Sequence, residues 1–342
     1  MVEMRRTLVP MRIRLVATFA ALALVFGVVS PTLANPKGVP NENAIGYWTA
    51  ERMANAIPRD FQFEPGAKVG KQVDSVRGKS TGNVSSGNSG SSWISGGTPA
   101  NATGKVFFSV GVKNYVCSGS VVKDDPNNDR SIVLTAGHCV FDNVTAQFVT
   151  NFIYVPNYDE LPGERCSGTL YGCWAAVSLA AHSGFTSQTA FTTSATQHDW
   201  GFAVLKSGGK NASLVEVLGA YDLEVSGLTK GLTASAFGYP ASSPYSGADL
   251  VYCMNPVSED SRTLNTTWGL SCNMTGGASG GPWLSAFSLL TPNTSGRLSS
   301  VNSYKYGNQK NMMYGPKFNA KTIDTFNAAL NTSDATVVVG AP

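Results

Sequence analysis

Short apolar runs separated by Gly, Pro, Asn and Ser follow one another along the chain from Lys105 onward. Their lengths and their punctuation are typical of β-strands rather than helices. A series of this kind, at this chain length, predicts an all-β sandwich or a pair of barrels. The predicted strands cover residues 106–110, 115–122, 131–135, 152–155, 201–205, 234–237 and 298–304.

One segment near the end of the chain has a helical rather than a strand-like pattern. Within residues 317–330, apolar positions recur so that Phe318, Ile323, Phe326 and Leu330 lie near one face. We therefore predict one amphipathic helix there, packed on the β-structure through that face.

The N-terminal third divides into two parts that differ from the rest. Basic residues precede the apolar run 15–29, and small residues at Thr32 and Ala34 suit a signal peptidase, so residues 1–34 are predicted to be a secretory signal peptide. A membrane anchor is the alternative, but the run is shorter than the roughly 20 residues that cross a bilayer. Residues 35–97, which become almost wholly Ser, Gly, Asn and Thr from Lys79, are interpreted as a propeptide and linker or, alternatively, as a disordered arm. Residues 98–342 then form the main domain.

Composition and charge argue against some classes of binding partner. Of 342 residues, 42% are apolar and 14% are charged, enough to bury one large core or two smaller ones. The formal net charge is only +3, and no dense Lys/Arg tract follows the first few residues. We therefore expect no nucleic-acid partner, no membrane partner after signal removal, and a monomer.

Because the chain is predicted to be secreted, its six cysteines are predicted to form three disulfides, as an even number of cysteines in an oxidising compartment usually does. No Cys-x-x-Cys pair occurs and the chain has three histidines, so no metal site is predicted. Fifteen connectivities are possible for six cysteines. Their grouping into successive neighbours suggests the pairs Cys117 with Cys139, Cys166 with Cys173, and Cys253 with Cys272.

Three segments carry residues suited to nucleophilic catalysis. His138 ends Thr-Ala-Gly-His directly after a predicted strand, Asp199 opens the apolar stretch 199–205, and Ser279 lies among small residues that leave its hydroxyl uncrowded. A serine nucleophile needs a histidine base, and that base needs a carboxylate behind it. Taken singly, Asp199 could be an ordinary turn residue and residues 275–283 a plain glycine-rich turn.

The segments 135–139, 199–205 and 275–283 resemble, in order, those of chymotrypsin-like serine peptidases, and the lack of an aspartate at Ala278 is similar to the bacterial secreted, glutamyl endopeptidase-like branch. The resemblance implies His138 as general base, Asp199 as its orienting acid, Ser279 as nucleophile, and the N–H groups of Gly277 and Ser279 as an oxyanion hole. It also implies two packed antiparallel six-stranded β-barrels with a C-terminal α-helix, a protein or peptide substrate, and no cofactor. The linker before residue 98 separately predicts that the chain is made as a zymogen.

The sequence leaves two rival functions to consider. The sequence Gly277-x-Ser279-x-Gly281 also fits the nucleophile elbow of an esterase, but elbow enzymes need their histidine after the serine, and all three histidines here precede Ser279. A secreted binding protein that kept the fold and lost catalysis is the non-enzyme alternative. Neither His182 nor His198 is expected to take part in catalysis.

The resemblance also indicates where substrate side chains would bind. Asn273 takes the position that carries an aspartate in enzymes selective for Lys or Arg, which argues against trypsin-type specificity. Ser303, Tyr304 and Lys305 match the segment that pairs with the substrate backbone and forms a pocket wall. Lys305 there would favour an acidic side chain, although the histidine that glutamyl endopeptidases use nearby is replaced by Asn302.

Overall fold

The computed structural model describes residues 43–74, 78, 90–124, 130–158, 166, 171–206, 213–332 and 336–340. The predicted signal peptide and residues 79–89 of the predicted linker lie outside these ranges. The strands are β1 (Ile57–Phe63), β2 (Lys71–Asp74), β3 (Ser91–Ser92), β4 (Thr103–Val110), β5 (Lys113–Val122), β6 (Arg130–Thr135), β7 (Phe141–Asp142), β8 (Gln147–Phe148), β9 (Thr150–Pro156), β10 (Trp174–His182), β11 (Gly201–Lys206), β12 (Thr233–Gly238), β13 (Val251–Glu259), β14 (Thr267–Ser271), β15 (Pro282–Ser285), β16 (Arg297–Val301), β17 (Lys305–Tyr306), β18 (Met312–Pro316) and β19 (Val337–Val339).

Helices are few and, with one exception, short. The α-helices are α1 (Ala44–Tyr47), α2 (Ala50–Ala54), α3 (Gly97–Ala102), α4 (Ser183–Thr186), α5 (Leu214–Leu218) and α6 (Ala320–Asn331), and single 3₁₀ turns cover Gly137–Cys139, Ala195–His198 and Ser261–Thr263. Among the described residues, none of the helices has the length and apolar character needed to cross a bilayer.

Six strands close into an antiparallel barrel in the order β5, β4, β9, β10, β11, β6, with β6 pairing back onto β5. Apolar residues fill the interior, and β10 is buried along its whole length because α6 covers its outer side. The register Gly201↔Thr135 aligns the start of β11 with the end of β6. This pairing brings together the loop that follows β6 and the loop that precedes β11.

The other main sheet is also antiparallel, in the order β16, β15, β12, β13, β14, β18. Within the described residues no ladder joins β16 to β18, so these six strands form a half-barrel rather than a closed one. The all-β, chymotrypsin-like fold predicted from the sequence is confirmed. The three predicted disulfide pairs, Cys117–Cys139, Cys166–Cys173 and Cys253–Cys272, are also present.

The C-terminal helix begins three residues later than its apolar pattern predicts. Asn319 accepts a hydrogen bond from the N–H of Lys321 and forms a capping box with Thr322, which fixes the start of α6 at Ala320. Phe318 packs edge-on against Trp200, and Phe326 contacts Phe202. The predicted apolar face therefore docks on β11 and the residue before it.

The C-terminal end of the predicted linker packs on the half-barrel. β3 pairs with β13, and the indole of Trp93 is buried against Phe237, Tyr252 and Phe287. A single large aromatic ring is enough to dock a segment whose other residues are small and polar.

Residues before the linker also pack on the barrels. β1 pairs in parallel with β5 of the closed barrel through Ile57↔Tyr115 and with the short strand β17 through Gln62↔Lys305, so it extends the sheet of the closed barrel by two strands. β2 continues this sheet by pairing antiparallel with β1. The segment 43–74, predicted to be part of a propeptide, is therefore an integral layer of the described structure.

The imidazole rings of His182 and His198 stack on each other under α6 and are expected to make folding sensitive to acid. Their centroids are 5.0 Å apart, and Lys321 Nζ lies 3.4 Å from His198 Nε2. Burial, the His182 ring and the Lys321 ammonium lower the pKa of His198 from 6.5 to about 4. The folded state therefore favours neutral His198, and its contribution to stability is present above pH 6.5 and declines as the pH falls toward 4.

We expect His198→Phe to lose less stability than the wild type on acidification, because it has no proton to take up on unfolding. The measurement is the free energy of unfolding by urea at about pH 7 and about pH 5. Carboxylates titrate in both proteins, so the test compares how much the free energy of unfolding falls between the two pH values in the wild type and in the variant. Equal declines would show that protonation of His198 is not linked to folding.

Candidate functional site

His138 follows strand β6 of the closed barrel and lines the cleft that also holds Asp199 and Ser279. The strand ends at Thr135, and the short turn Gly137–Cys139 presents the imidazole, which is almost fully buried. The disulfide between Cys139 and Cys117 ties this turn to β5. In the described part of the chain, His138 also comes close to the sulfurs of these two cysteines, but both are in the disulfide and so are not thiolate ligands for a metal.

Asp199 lies between the turn Ala195–His198 and β11, and its carboxylate is completely buried. Oδ2 is 2.8 Å from His138 Nδ1, and Oδ1 accepts a hydrogen bond of 2.8 Å from the backbone N–H of His138. The hydroxyl of Ser303 donates to Oδ2 at 2.5 Å. Three hydrogen bonds therefore hold the carboxylate, and one of them fixes the orientation of the imidazole.

Ser279 lies in the loop between β14 and β15, where glycines shape the backbone. Gly277 has a φ of +96° and Gly280 a φ of +81°, and a Cβ on Gly280 would lie 2.1 Å from Thr135 Oγ1. Neither residue could be replaced by one with a side chain without moving this loop. The loop is anchored to β5 by the Ser118 N–H, which donates to the Ser279 carbonyl at 2.7 Å.

Three hydrogen-bonding groups of this site have no partner among the described residues. The N–H groups of Gly277 and Ser279 take part in none of its hydrogen bonds, and His138 Nε2 is buried and unbonded. Hydrogen bonds between nucleophile and base are often long before substrate binds. The site therefore combines the Ser279 hydroxyl, an imidazole whose Nδ1 is held by Asp199, and the two unbonded backbone N–H groups of Gly277 and Ser279.

Sequence reasoning missed two polar residues that brace the loop from behind. The Ser118 hydroxyl donates to the Gly277 carbonyl at 2.8 Å and accepts from the Tyr239 N–H. The Asn302 amide donates to the Ala278 carbonyl at 3.0 Å, and its oxygen accepts from the Trp283 indole. Asn302, which replaces the histidine of glutamyl endopeptidases, is buried behind the loop. Its side-chain partners are 19, 24 and, for the Phe237 carbonyl, 65 residues away, so no local pattern could reveal them.

Of the four residues expected to bind substrate side chains, two line a pocket next to the loop that carries Ser279. Asn273 and Lys305 face this pocket. Asn273 Oδ1 already accepts hydrogen bonds from the Tyr245 hydroxyl and the Gly90 N–H. The side chains of Ser303 and Tyr304 point elsewhere: Ser303 bonds Asp199, and the Tyr304 hydroxyl donates to Asp260 at 2.7 Å.

Strand β1 lies in the same cleft, which sequence reasoning did not anticipate. The ring of Phe61 stacks on Phe191 at 4.3 Å and meets the His138 imidazole edge-on at 5.2 Å. Arg59, buried beside it, forms an ion pair of 2.5 Å with Asp142 of β7, the short strand that follows the turn carrying His138. The N-terminal segment therefore covers the histidine of the site.

Known proteins similar to this chain are proteases. The family described as lysyl endopeptidase, C-terminal domain, matches residues 89–222. The crystal structure of protease Anisep from Arthrobacter nicotinovorans is 37% identical, covers 69% of this chain and 98% of its own, and has a TM-score of 0.58. A thermostable serine protease, AL20, from an extremophilic microorganism is 34% identical over 69% of this chain and all of its own, also with a TM-score of 0.58.

A Glu endopeptidase structure at 16% identity and a TM-score of 0.51, covering 73% of this chain and 96% of its own, shares the fold. The comparison with curated proteins found no match. The identity to protease Anisep, over nearly its whole length, is high enough to assign the family, and the barrel topology agrees with it. The chain therefore belongs to the chymotrypsin-like family of bacterial serine proteases.

Proposed function

We propose that this protein is a secreted serine endopeptidase that cleaves peptide bonds through an acyl-enzyme, with His138, Asp199 and Ser279 as its catalytic triad. The observation that carries the proposal is the pair of bonds from Asp199 to the His138 ring and backbone, 2.8 Å each, beside a serine in a glycine-shaped loop. We further propose that the enzyme acts as a monomer on protein or peptide substrates and needs no cofactor.

In the proposed reaction, Ser279 Oγ attacks the carbonyl carbon of the scissile bond while His138 Nε2 takes the hydroxyl proton. The C–N bond then breaks, and the same proton passes from His138 to the leaving amine. Water repeats the sequence on the acyl-enzyme and releases the acid. Asp199 stabilises the imidazolium that forms in each step, and the free N–H groups of Gly277 and Ser279 would donate to the oxyanion.

We also propose that the chain is made as a zymogen, with residues 1–34 as signal peptide and residues 35–97 as propeptide and linker. The contacts of β1 support this, because Phe61 covers His138 and β1 pairs with β17 beside the pocket. A peptide substrate could not reach the same place while β1 occupies it. Cleavage between β2 and β3 followed by release of residues 43–74 would open the cleft.

A fluorophosphonate probe tests the proposal, because it reacts with a serine only where a base and an oxyanion hole activate it. We expect stoichiometric labelling of Ser279 once the N-terminal segment has been cut and released, and slow labelling of the intact chain. Ser279→Ala is the control and should take up no label. Absence of labelling in the processed, folded protein would instead support a binding protein that had lost catalysis.

A further inference from the structure

Strand β17 loses its strand partner when β1 leaves. Among the described residues it pairs with β1 alone, through Gln62↔Lys305 and Phe63↔Tyr306, and the Gly307 N–H donates to the Phe63 carbonyl at 3.0 Å. An unpaired strand edge can bind an extended peptide through its backbone groups. The edge of β17 therefore offers a substrate the backbone groups that bind β1 in the intact chain.

The two residues before β17 are held by backbone bonds that do not involve β1. The Ser303 N–H donates to the Tyr314 carbonyl at 2.9 Å, and Tyr304 exchanges backbone hydrogen bonds of 3.2 and 3.0 Å with Tyr314. Tyr314 lies in β18, which pairs with β14. The position of Ser303, and with it the hydrogen bond to Asp199, is therefore independent of β1.

The carboxylate of Asp260 holds the tyrosines on both sides of Lys305. Asp260 is 4% exposed, and its Oδ2 accepts a hydrogen bond of 2.7 Å from the hydroxyl of Tyr304 and another of 2.7 Å from that of Tyr306. Its Oδ1 accepts from the Arg262 N–H at 3.0 Å. Hydrogen bonds to an ionised acceptor are roughly twice as strong as those between neutral groups. One acid in the turn between β13 and β14 thus ties β17 to the half-barrel.

Other contacts of the same turn support these two bonds. The guanidinium carbon of Arg262 lies 4.0 Å from the centroid of the Tyr306 ring, and the Tyr304 hydroxyl is 2.8 Å from Thr267 Oγ1. Burial and the nearby Asp260 carboxylate raise the pKa of Tyr304 well above its usual value, so its hydroxyl keeps its proton. All of these contacts come from the half-barrel and therefore remain after β1 has left.

We propose that Asp260 is a positioning residue for the proposed reaction, which holds β17 through Tyr304 and Tyr306 so that its edge can pair with a peptide substrate. This inference rests on the proposed function, since it concerns how that site binds its substrate. None of the hydrogen-bond partners of Asp260 belongs to the triad. Loss of its charge should therefore weaken the cleavage of extended peptides and spare the chemistry at Ser279.

The experiment compares two substrates in Asp260→Asn and in the wild type. One is an octapeptide cleaved at its centre, which can pair with β17, and the other is the ester of a single acylated amino acid, which is too short to do so. Full-length protein is treated with an immobilised protease until labelling by a fluorophosphonate reaches its maximum, the protease is removed, and the titrated sites normalise kcat/KM. Two backbone hydrogen bonds to the peptide, at roughly fivefold each, would be weakened. We expect the ratio of peptide to ester kcat/KM to fall roughly 10- to 30-fold, with the ester value unchanged.

Two further variants keep the test independent of folding. Tyr306→Phe removes one of the two hydroxyls and keeps the ring against Arg262, so the ratio should fall several-fold, and this variant decides if Asp260→Asn does not fold. Tyr154→Phe is the matched control, because it removes a buried hydroxyl that donates to the Ala102 carbonyl in the closed barrel, and its ratio should equal the wild type.

The outcomes separate this inference from the proposed function. A wild-type ratio in titrated Asp260→Asn, or an equal loss on peptide and ester, would overturn the positioning role of Asp260 and leave the proposed function standing. Failure of the processed wild type to react with the label would overturn the proposed function, and this inference with it.

Discussion

Asp199→Asn is expected to lower kcat by about four orders of magnitude while leaving the fold intact. The side chains have nearly the same shape, so the buried site between Ala195–His198 and β11 is not emptied. What changes is the hydrogen bonding. Oδ2 accepts from both His138 Nδ1 and the Ser303 hydroxyl, and an amide nitrogen in that position donates instead of accepting.

The loss follows from the tautomer of His138. With a carboxylate, Nδ1 carries the proton and Nε2 is free to take one from Ser279. With an amide nitrogen facing Nδ1, the proton is favoured on Nε2, where it blocks base catalysis. The imidazolium of the transition state also loses the negative charge that stabilises it.

The measurement is kcat on a peptide substrate, with thermal unfolding as the check on folding. Asp222→Asn is the matched control, because this aspartate pairs with Lys123 and Arg297 on the surface and lies half exposed. Its activity should equal the wild type. A decrease of less than tenfold for Asp199→Asn, in folded protein, would mean that another acid orients His138.

The strands that could be predicted from the sequence are those with dense β-branched and aromatic runs. The predicted ranges 106–110 and 131–135 lie inside β4 and β6. β10 escaped prediction because its Trp-Ala-Ala-Val-Ser-Leu-Ala-Ala-His sequence does not alternate and carries a single β-branched residue, Val177, and both of its faces are buried. The predicted range 298–304 was too long, because β16 ends at Val301 and the chain turns before β17.

The candidate triad could be predicted because each residue stands at the edge of a local motif next to an apolar strand. The bracing residues Ser118 and Asn302 could not, since their partners are set by tertiary packing alone. The same is true of β1, whose Arg59 and Asp60 would normally indicate an exposed segment. Arg59 is buried because Asp142, 83 residues further along, pairs with it, and no pattern within β1 contains that information.

That ion pair leads to the second large expected effect: Arg59→Glu should activate the chain without processing. Arg59 is almost fully buried, and its guanidinium, together with two hydrogen bonds from Thr145, lowers the pKa of Asp142 against the opposing effect of burial. A glutamate there would place two carboxylates together in a buried site. The docked state of β1 should therefore lose at least about 3 kcal/mol relative to the open state.

A loss of that size raises the fraction of molecules with an open cleft on the order of 100-fold. The readout is the rate of fluorophosphonate labelling, which should rise accordingly. Mass spectrometry confirms that the labelled chain is uncut. Arg52→Glu is the matched control, because Arg52 lies exposed in the same segment and its guanidinium contacts Tyr47 rather than the barrel. It should label at the slow wild-type rate.

Restoring the pair with reversed signs separates docking from misfolding. In the double variant Arg59→Glu with Asp142→Arg, the two charges again attract, so labelling should slow toward the wild-type rate, whereas a general folding defect would not be corrected by a second substitution. If Arg59→Glu labelled no faster than the wild type, β1 would not be what limits access to Ser279, and the zymogen proposal would fail while the triad remained. If it labelled faster and the reversed pair restored latency, the ion pair between Arg59 of β1 and Asp142 of β7 would be the contact that holds the cleft closed.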